Sequence, residues 1–162
     1  MAMTDIVHIV EFDLDYLAIF KKYQAIIKEA LPNSIVELVG SASIPMAGKP
    51  EIDILVEAEP FEDATKILQE KGGFDRFPSL LSDKAYFNDK RFGIECEIHM
   101  HSKNHEMASK LRMFRDLLKE NKDLRVCFMD FKKSCDGKTR LEYRQLKTAW
   151  IKEHCPQVLS FN

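Results

Sequence analysis

Two segments of the sequence place acidic side chains in alternation with apolar ones. In the first they are Glu51 and Asp53; in the second they are Glu95 and Glu97, followed at the same spacing by His99 and His101. Residues two apart share a face of a β-strand. If the two strands are neighbours, up to four carboxylates lie on one surface, where they repel one another unless one is protonated or a cation lies between them.

This spacing predicts a site for a hard divalent cation, Mg²⁺ or Mn²⁺. Such an ion takes carboxylate oxygens and keeps open positions that a substrate phosphate can fill. Half-exposed antiparallel strands also have a polar face, so the alternation is equally consistent with ordinary strands that bind no metal.

A glycine–serine pair lies just before the first acidic segment. Gly40 follows an apolar stretch, and its freedom of φ and ψ lets the backbone come close to a ligand. Backbone N–H groups there, with the hydroxyls of Ser41 and Ser43, form a candidate phosphate cradle. Lys49 is placed to neutralise phosphate charge. An ordinary strand-to-loop turn is the alternative.

The roles of the histidines and of Arg115 are open at this stage. Three histidines, His99, His101 and His105, could hydrogen-bond to the metal ligands or contact phosphate. Alternatively, they could bind a transition metal themselves. Arg115 lies on one helix face with Arg112 and Lys119. It is a candidate phosphate contact, or it bridges to an acid on the sheet.

Helices and strands that position these residues can be read from the periodicity of apolar residues. An apolar-rich stretch, 6–12, is a strand or an extended arm. Helices are predicted at 14–31, 60–71, 105–119, 123–134 and 139–154, and strands at 34–39, 51–57, 84–88 and 92–101. The predicted fold is α+β, with a mixed sheet flanked by helices and a helical C-terminal segment. We expect one domain over 1–162, with an α/β core at 1–103 and a helical extension at 104–162.

Composition restricts the classes of partner and compartment. A net charge of −2 over 162 residues gives no strong attraction to nucleic acid or anionic membrane. Nucleic acid is therefore an unlikely partner. The four cysteines form no Cys-x-x-Cys pair, and no apolar run is long enough to span a bilayer. We expect a cytoplasmic protein without a membrane partner.

In combination, these motifs resemble a known signature. An apolar strand, Gly40-Ser41, and an acid–apolar–acid–apolar strand 11 positions later are similar to the nucleotidyltransferase superfamily. More narrowly, the chain resembles the GrpB family in the stretches 36–45 and 49–54, in Ile98-His99-Met100-His101, in Phe114-Arg115-Asp116-x-Leu118, and in Tyr143 with Lys147. Leu38, Ala42 and Met46 depart from the family pattern, and Glu51 fits the superfamily better than the family.

The superfamily resemblance implies a nucleotidyltransferase. Glu51 and Asp53 would be metal ligands, Glu95 or Glu97 the third acid, and Ser41 a contact of the outer phosphates. Two metal ions would then assist in-line attack on the α-phosphate of a nucleoside triphosphate. Two alternatives remain: a non-catalytic module of the same fold that binds a nucleotide or a CoA metabolite, and a metal-dependent hydrolase that uses the histidines and acids.

Overall fold

A five-stranded mixed sheet forms the centre of the protein. The computed structural model describes residues 4–77 and 83–159. Strands β1 (Ile35–Val39), β2 (Glu51–Glu57), β3 (Asp75–Arg76), β4 (Lys84–Asp89) and β5 (Glu95–His101) lie in the order β1-β2-β5-β4-β3. The helices are α1 (Asp15–Ala30), α2 (Phe61–Glu70), α3 (Glu106–Glu120), α4 (Lys122–Ser134) and α5 (Arg140–His154). The predicted α+β class is thus confirmed.

Strands β2 and β5 are parallel neighbours, and every other strand pair in the sheet is antiparallel. Their register places Glu51 opposite Glu95, and Asp53 opposite Glu97. Because side chains alternate along both strands, the two acidic sets project from the same face of the sheet. The short turn 90–94 makes this possible, since it returns the chain from β4 into β5 beside β2.

The opposite face of the sheet is apolar and is covered by α1 and α2. Ile52, Ile54 and Ile98 are fully buried there, against Tyr23 of α1 and Leu68 of α2. Burying a side chain of this size stabilises the fold by about 1.5–3 kcal/mol. Packing of the core therefore explains the apolar residues of β2 and β5. The alternate positions, on the other face, are free for polar groups.

The C-terminal helices α3, α4 and α5 pack on the polar face and leave one end of it uncovered. Their own core contains Leu118, Phe128 and Trp150, and the loop residues Ile44 and Met46 join it. Farther along the strands, Leu55 packs against Ala108 of α3. The helical extension and the α/β part thus share apolar cores, with a space between them at the acidic end of β2 and β5.

An N-terminal arm ties the loop before β2 to the turn between α4 and α5. Val10 exchanges two backbone hydrogen bonds with Gly48, and Val7 donates to the Lys138 carbonyl at 2.8 Å. The predicted alternatives for 6–12 were a strand or an extended arm. The structure shows an arm with isolated bridges at Ile6 and Val10.

Predicted and observed elements differ in detail. The second hairpin strand begins at Glu95 rather than at 92, because residues 90–94 form the turn. Strand β3 was not predicted, since two residues are too few to show alternation. Across the described ranges 4–77 and 83–159, no helix combines the length and apolar composition that crossing a membrane requires.

At the end of β5, His101 is almost completely buried. Its ring stacks on that of His105 at 4.7 Å between centroids, and its Nδ1 has no hydrogen-bond partner among the described residues. Burial, with the nearby charges of His105 and His99, lowers the pKa of His101 to about 4. An unfolded chain, in which the histidine has its ordinary value of 6.5, therefore binds more protons between these two pH values.

We expect His101 to make the protein less stable as pH falls from 6.5 towards 4. The loss should be on the order of 3 kcal/mol, because one pKa unit corresponds to about 1.4 kcal/mol. Urea unfolding across this pH range should show a flatter pH dependence for His101→Gln than for the wild type. The control is His8→Gln at an exposed histidine. Equal pH dependence in all three proteins would contradict this account.

Candidate functional site

A pocket of about 270 Å³ lies at the uncovered end of the polar face. Strands β2 and β5 form one wall, and α3, α4 and α5 form the other. Gly40 and Ser41 enter it from the turn that follows β1. Acidic and basic side chains both line this pocket, and Phe114 and Phe128, whose rings pack together, form an apolar part of its lining.

Three side chains of the acidic part lie close enough to share a metal ion. Potential donor atoms of Asp53, Glu97 and His99 are within 4.8 Å of one another. His99 Nε2 is 3.3 Å from Asp53 Oδ1 and 3.4 Å from Glu97 Oε1. Two carboxylates and an imidazole suit a divalent cation that accepts both oxygen and nitrogen donors, such as Mn²⁺.

The charges of Asp53 and His99 stabilise each other. Burial would raise the pKa of Asp53, but the hydrogen bond from His99 and the charges of His99, Lys49 and Lys147 hold it at about 2. Burial likewise opposes protonation of His99, yet the hydrogen bond to Asp53 and the charges of Asp53 and Glu97 raise its pKa. A cation bound here would take the place of a proton on His99, because both are held by the same two carboxylates.

Gly40 lets Asp53 occupy its position. The backbone at Gly40 has φ +66°, and a Cβ added there would lie 2.2 Å from Asp53 Oδ2. Any other residue would therefore collide with the carboxylate, in addition to the strain of a positive φ. The Asp53 carboxylate thus lies against the turn, where it lines the pocket.

Glu51 has different partners from Asp53. Its carboxylate is buried and forms ion pairs with Lys49 and, at 3.3 Å, with Arg140 of α5. It is not among the three grouped donors. Of the two predicted third acids, Glu97 joins Asp53, whereas Glu95 pairs with Lys90 at 3.0 Å. Glu95 lines a second cleft that Glu51 and Glu97 also line.

Sequence reasoning assigned no role to two lysines of the pocket, Lys132 of α4 and Lys147 of α5. Lys132 is 1% exposed, and its ammonium contacts the Ser41 hydroxyl. No carboxylate of the described residues pairs with either lysine. Burial, followed by the charge of Lys147, lowers the pKa of Lys132 to about 7; burial also lowers that of Lys147.

A signal for Lys132 exists in the sequence. Phe128, Lys132 and Cys135 are spaced as one helix face, and all three are buried. A lysine inside an apolar stripe is rare unless its charge has a partner. Lys147 was noted as part of a family motif, but the spacing with Tyr143 gives no indication of what its ammonium faces.

The remaining predicted residues are placed as follows. Ser43 donates its hydroxyl to the Gly40 carbonyl at 2.7 Å and so stabilises the turn. Arg115 touches the pocket, but its guanidinium pairs with Asp116 and with Glu37 of β1, which was one of its two predicted alternatives. His101 lies at the far end of β5, opposite Glu57 in the register, and is apart from the grouped donors.

Comparison with known proteins identifies the family. The sequence model of the family described as GrpB protein matches residues 6–157. The chain belongs to the GrpB family. The UPF0157 protein VC_A0354 of Vibrio cholerae serotype O1 is 29% identical over 136 residues, which are 82% of this chain and 72% of that protein. The crystal structure of the conserved protein GrpB from Enterococcus faecalis superposes with a TM-score of 0.76 at 24% identity, over 94% of this chain and 99% of that one.

The GrpB-family fold is nucleotidyltransferase-like. A crystal structure of the Cid1 poly(U) polymerase, with MgGTP bound, aligns at a TM-score of 0.52 and 14% identity. The alignment covers 68% of this chain and 39% of the polymerase, so this protein spans well under half of that enzyme. At this identity the likeness concerns the fold alone.

The close approach of Gly40 to Asp53 can be tested by stability. We expect Gly40→Ala to lower the free energy of unfolding by more than Gly137→Ala. Both glycines have positive φ, which costs a residue with a side chain about 1–2 kcal/mol, but a Cβ at Gly137 meets nothing within 4 Å. Denaturant unfolding of the two variants measures the additional loss at Gly40, to which the collision with Asp53 and the backbone conformation of φ 66° and ψ −162° both contribute. Equal losses would show that the collision is relieved without cost.

Proposed function

We propose that the pocket binds a nucleoside triphosphate together with a divalent cation and transfers the nucleotidyl group to an acceptor. One observation carries the proposal: the potential metal-binding group of Asp53, Glu97 and His99 lines the same pocket as Lys132 and Lys147, which have no ion-pair partner among the described residues, beside the Gly40-Ser41 turn. A metal–triphosphate complex has the matching distribution of charge. The nucleotidyltransferase-like fold supports the same conclusion.

The charge of the pocket favours a polyanion. Six of its lining side chains are basic, namely Lys49, Arg115, Lys132, Arg140, Arg144 and Lys147, against three acids, Glu51, Asp53 and Glu97. A buried charge without a partner is strongly destabilising. Phosphate oxygens near Lys132 and Lys147 would supply the missing partner, and their binding would raise the pKa of both lysines.

The residues present also fit a metal. Asp53, Glu97 and His99 would hold the cation, since their donor atoms are already grouped and Gly40 leaves the Asp53 carboxylate room. When bound, the cation neutralises phosphate charge and supports displacement at the α-phosphate. The chain itself positions the triphosphate, through Ser41 with the backbone of the turn and through the lysines Lys132 and Lys147.

Glu51 would join the metal site when its ion-pair partners bind phosphate instead. Lys49 and Arg140 now neutralise its carboxylate. Phosphate oxygens compete for these two cations, and each one lost leaves Glu51 with a less compensated negative charge. Glu51 would then be available to a cation beside Asp53, as the superfamily pattern implies. Phosphate binding by Lys49 and Arg140 would thus make Glu51 available as a metal ligand.

The second cleft is suited to the acceptor. It shares Glu51 and Glu97 with the pocket and adds Glu95 and the exposed ring of Phe77. An acceptor hydroxyl in this cleft would lie next to carboxylates able to take its proton. Glu95, whose ion pair with Lys90 is at the surface, is the residue we propose for that role.

A second candidate is a non-catalytic module that binds a nucleotide or a CoA metabolite. The pairing of Glu51 with two basic residues favours it, because a transferase with two metal ions needs that carboxylate. The apolar part of the pocket lining, with Phe114 and Phe128, accepts either a nucleobase or an aliphatic chain. Turnover of a nucleoside triphosphate separates the two candidates.

Replacing Lys132 by Met tests the binding that both candidates require. We expect the change to weaken triphosphate binding by about tenfold or more, because a hydrogen bond to a charged group contributes about 1.5–3 kcal/mol. Stability without ligand should be unchanged or higher, since removing an unpaired buried charge relieves its desolvation. The matched control is Lys133→Met at the neighbouring exposed lysine.

Thermal shift with a panel of nucleotides and CoA metabolites, each with and without Mg²⁺ or Mn²⁺, measures both effects. A ligand at one hundred times its dissociation constant adds about 2.7 kcal/mol of stability. Equal shifts for the wild type, Lys132→Met and Lys133→Met would remove Lys132 from the site. No shift with any triphosphate would contradict the proposed function.

A further inference from the structure

The contact between Lys132 and Ser41 pairs a buried amine with a hydroxyl, which phosphate binding alone does not need. The Lys132 amine is buried, belongs to no ion pair of the described residues, and lies within hydrogen-bond distance of the Ser41 hydroxyl. Ser41 itself is partly exposed and lines the pocket. A hydroxyl open to a ligand, backed by a buried amine, is the arrangement of a nucleophile with its general base.

Several elements fix this pair in place. A Cβ added at Gly48 would lie 2.6 Å from Ser41 Oγ and 2.8 Å from Lys132 Nζ, so only a glycine leaves room for both groups. Backbone hydrogen bonds with Val10 of the N-terminal arm hold Gly48. On the other side, the Phe128 ring lies 5.4 Å from Lys132 Nζ. The contact thus follows from the packing of four separate segments.

Lys132 is also suited to accept a proton. Burial and the charges of Lys147 and Lys49 lower its pKa to about 7, so a substantial fraction of the amine is neutral near neutral pH. The neutral amine has a lone pair for the hydroxyl proton, whereas the ammonium can only donate. A residue needed only as a phosphate ligand would gain from remaining fully charged.

We propose that Ser41 is a site of self-phosphorylation, in which Ser41 Oγ takes the γ-phosphoryl group of a bound nucleoside triphosphate. This inference rests on the proposed function, because it requires a triphosphate with its outer phosphates at the Gly40-Ser41 turn. A bond forms between Ser41 Oγ and the γ-phosphorus, and the bond from that phosphorus to the β–γ bridging oxygen breaks. The hydroxyl proton passes to Lys132 Nζ, and the nucleoside diphosphate leaves.

Phosphorylation would close the pocket. The new phosphate group would lie beside Lys132, carry a charge of about −1.5 to −2 at neutral pH, and pair with an ammonium group that otherwise holds the ligand. It also occupies the space of the outer phosphates. Self-phosphorylation therefore acts as an off-switch for triphosphate binding at the same site.

The test is incubation of the purified protein with Mn²⁺ and ATP labelled in either the γ- or the α-phosphate, followed by mass spectrometry of the peptide that contains Ser41. We expect incorporation of the γ-label alone, at Ser41, and loss of the nucleotide-induced thermal shift in the modified protein. Ser41→Ala should remain unlabelled. Ser134→Ala, which removes an exposed hydroxyl at the end of α4, should be labelled like the wild type.

Lys132→Arg separates the two roles of the lysine. Arginine keeps a positive charge for phosphate but cannot lose its proton in a protein, so the variant should still show a nucleotide-dependent thermal shift and lose labelling. Lys133→Arg should label normally. A wild-type protein that binds triphosphate without modification at Ser41 overturns self-phosphorylation and leaves the proposed function standing. An α-label at Ser41 would also overturn it. Absence of all triphosphate binding would overturn both.

Discussion

The parallel pairing of β2 with β5 is the constraint on which the site depends. Its register sets Asp53 beside Glu97, so two carboxylates that are far apart in sequence come together on one face. His99 reaches both acids from the next position on that face. Ile52, Ile54 and Ile98 hold the pairing from the other side, because they are buried beneath α1 and α2. A slip of one residue would bury the acids and expose the core.

The pocket holds charges that the fold does not balance locally. Asp53 and Glu97 are partly compensated by His99, and Glu51 by Lys49 and Arg140. Lys132 and Lys147 both line the pocket and have no ion-pair partner within the described ranges. Such groups reduce stability, and proteins retain them where a ligand supplies the opposite charge. Helices α3, α4 and α5 thus contribute most of the basic side chains of the site, and β2 and β5 contribute the acidic ones.

Local patterns were enough to predict the acidic side chains of the site. Alternation gave the shared face of Glu51 with Asp53, and of Glu97 with His99, and the Gly40-Ser41 pair gave the turn. The sequence could not show that β2 and β5 are parallel neighbours, because strand order depends on how the whole chain packs. For the same reason, it could not decide between Glu95 and Glu97 or show that Glu51 is paired with Arg140, a residue 89 positions away.

The basic side chains of the site were harder to predict. Lys132 and Lys147 lie on different helices, and their meeting point is set by the core around Phe128 and Trp150. For Arg115, the helix face shared with Arg112 and Lys119 left two alternatives, a phosphate contact or a bridge to an acid on the sheet, and its guanidinium pairs with Asp116 and Glu37. Helical spacing indicates which residues share a face, but it does not indicate what that face meets.

Asp53 and Glu97 together are the cation site that we propose for this GrpB-family protein. Calorimetric titration with Mn²⁺ tests this proposal most directly, in the wild type and in Asp53→Asn, Glu97→Gln and Glu95→Gln, with circular dichroism to confirm folding. Each change removes one charge and nearly keeps the shape of the side chain. We expect Asp53→Asn and Glu97→Gln to abolish or greatly weaken Mn²⁺ binding, and Glu95→Gln to bind like the wild type. Undiminished binding by folded Asp53→Asn, or an equal loss in Glu95→Gln and Glu97→Gln, would contradict it.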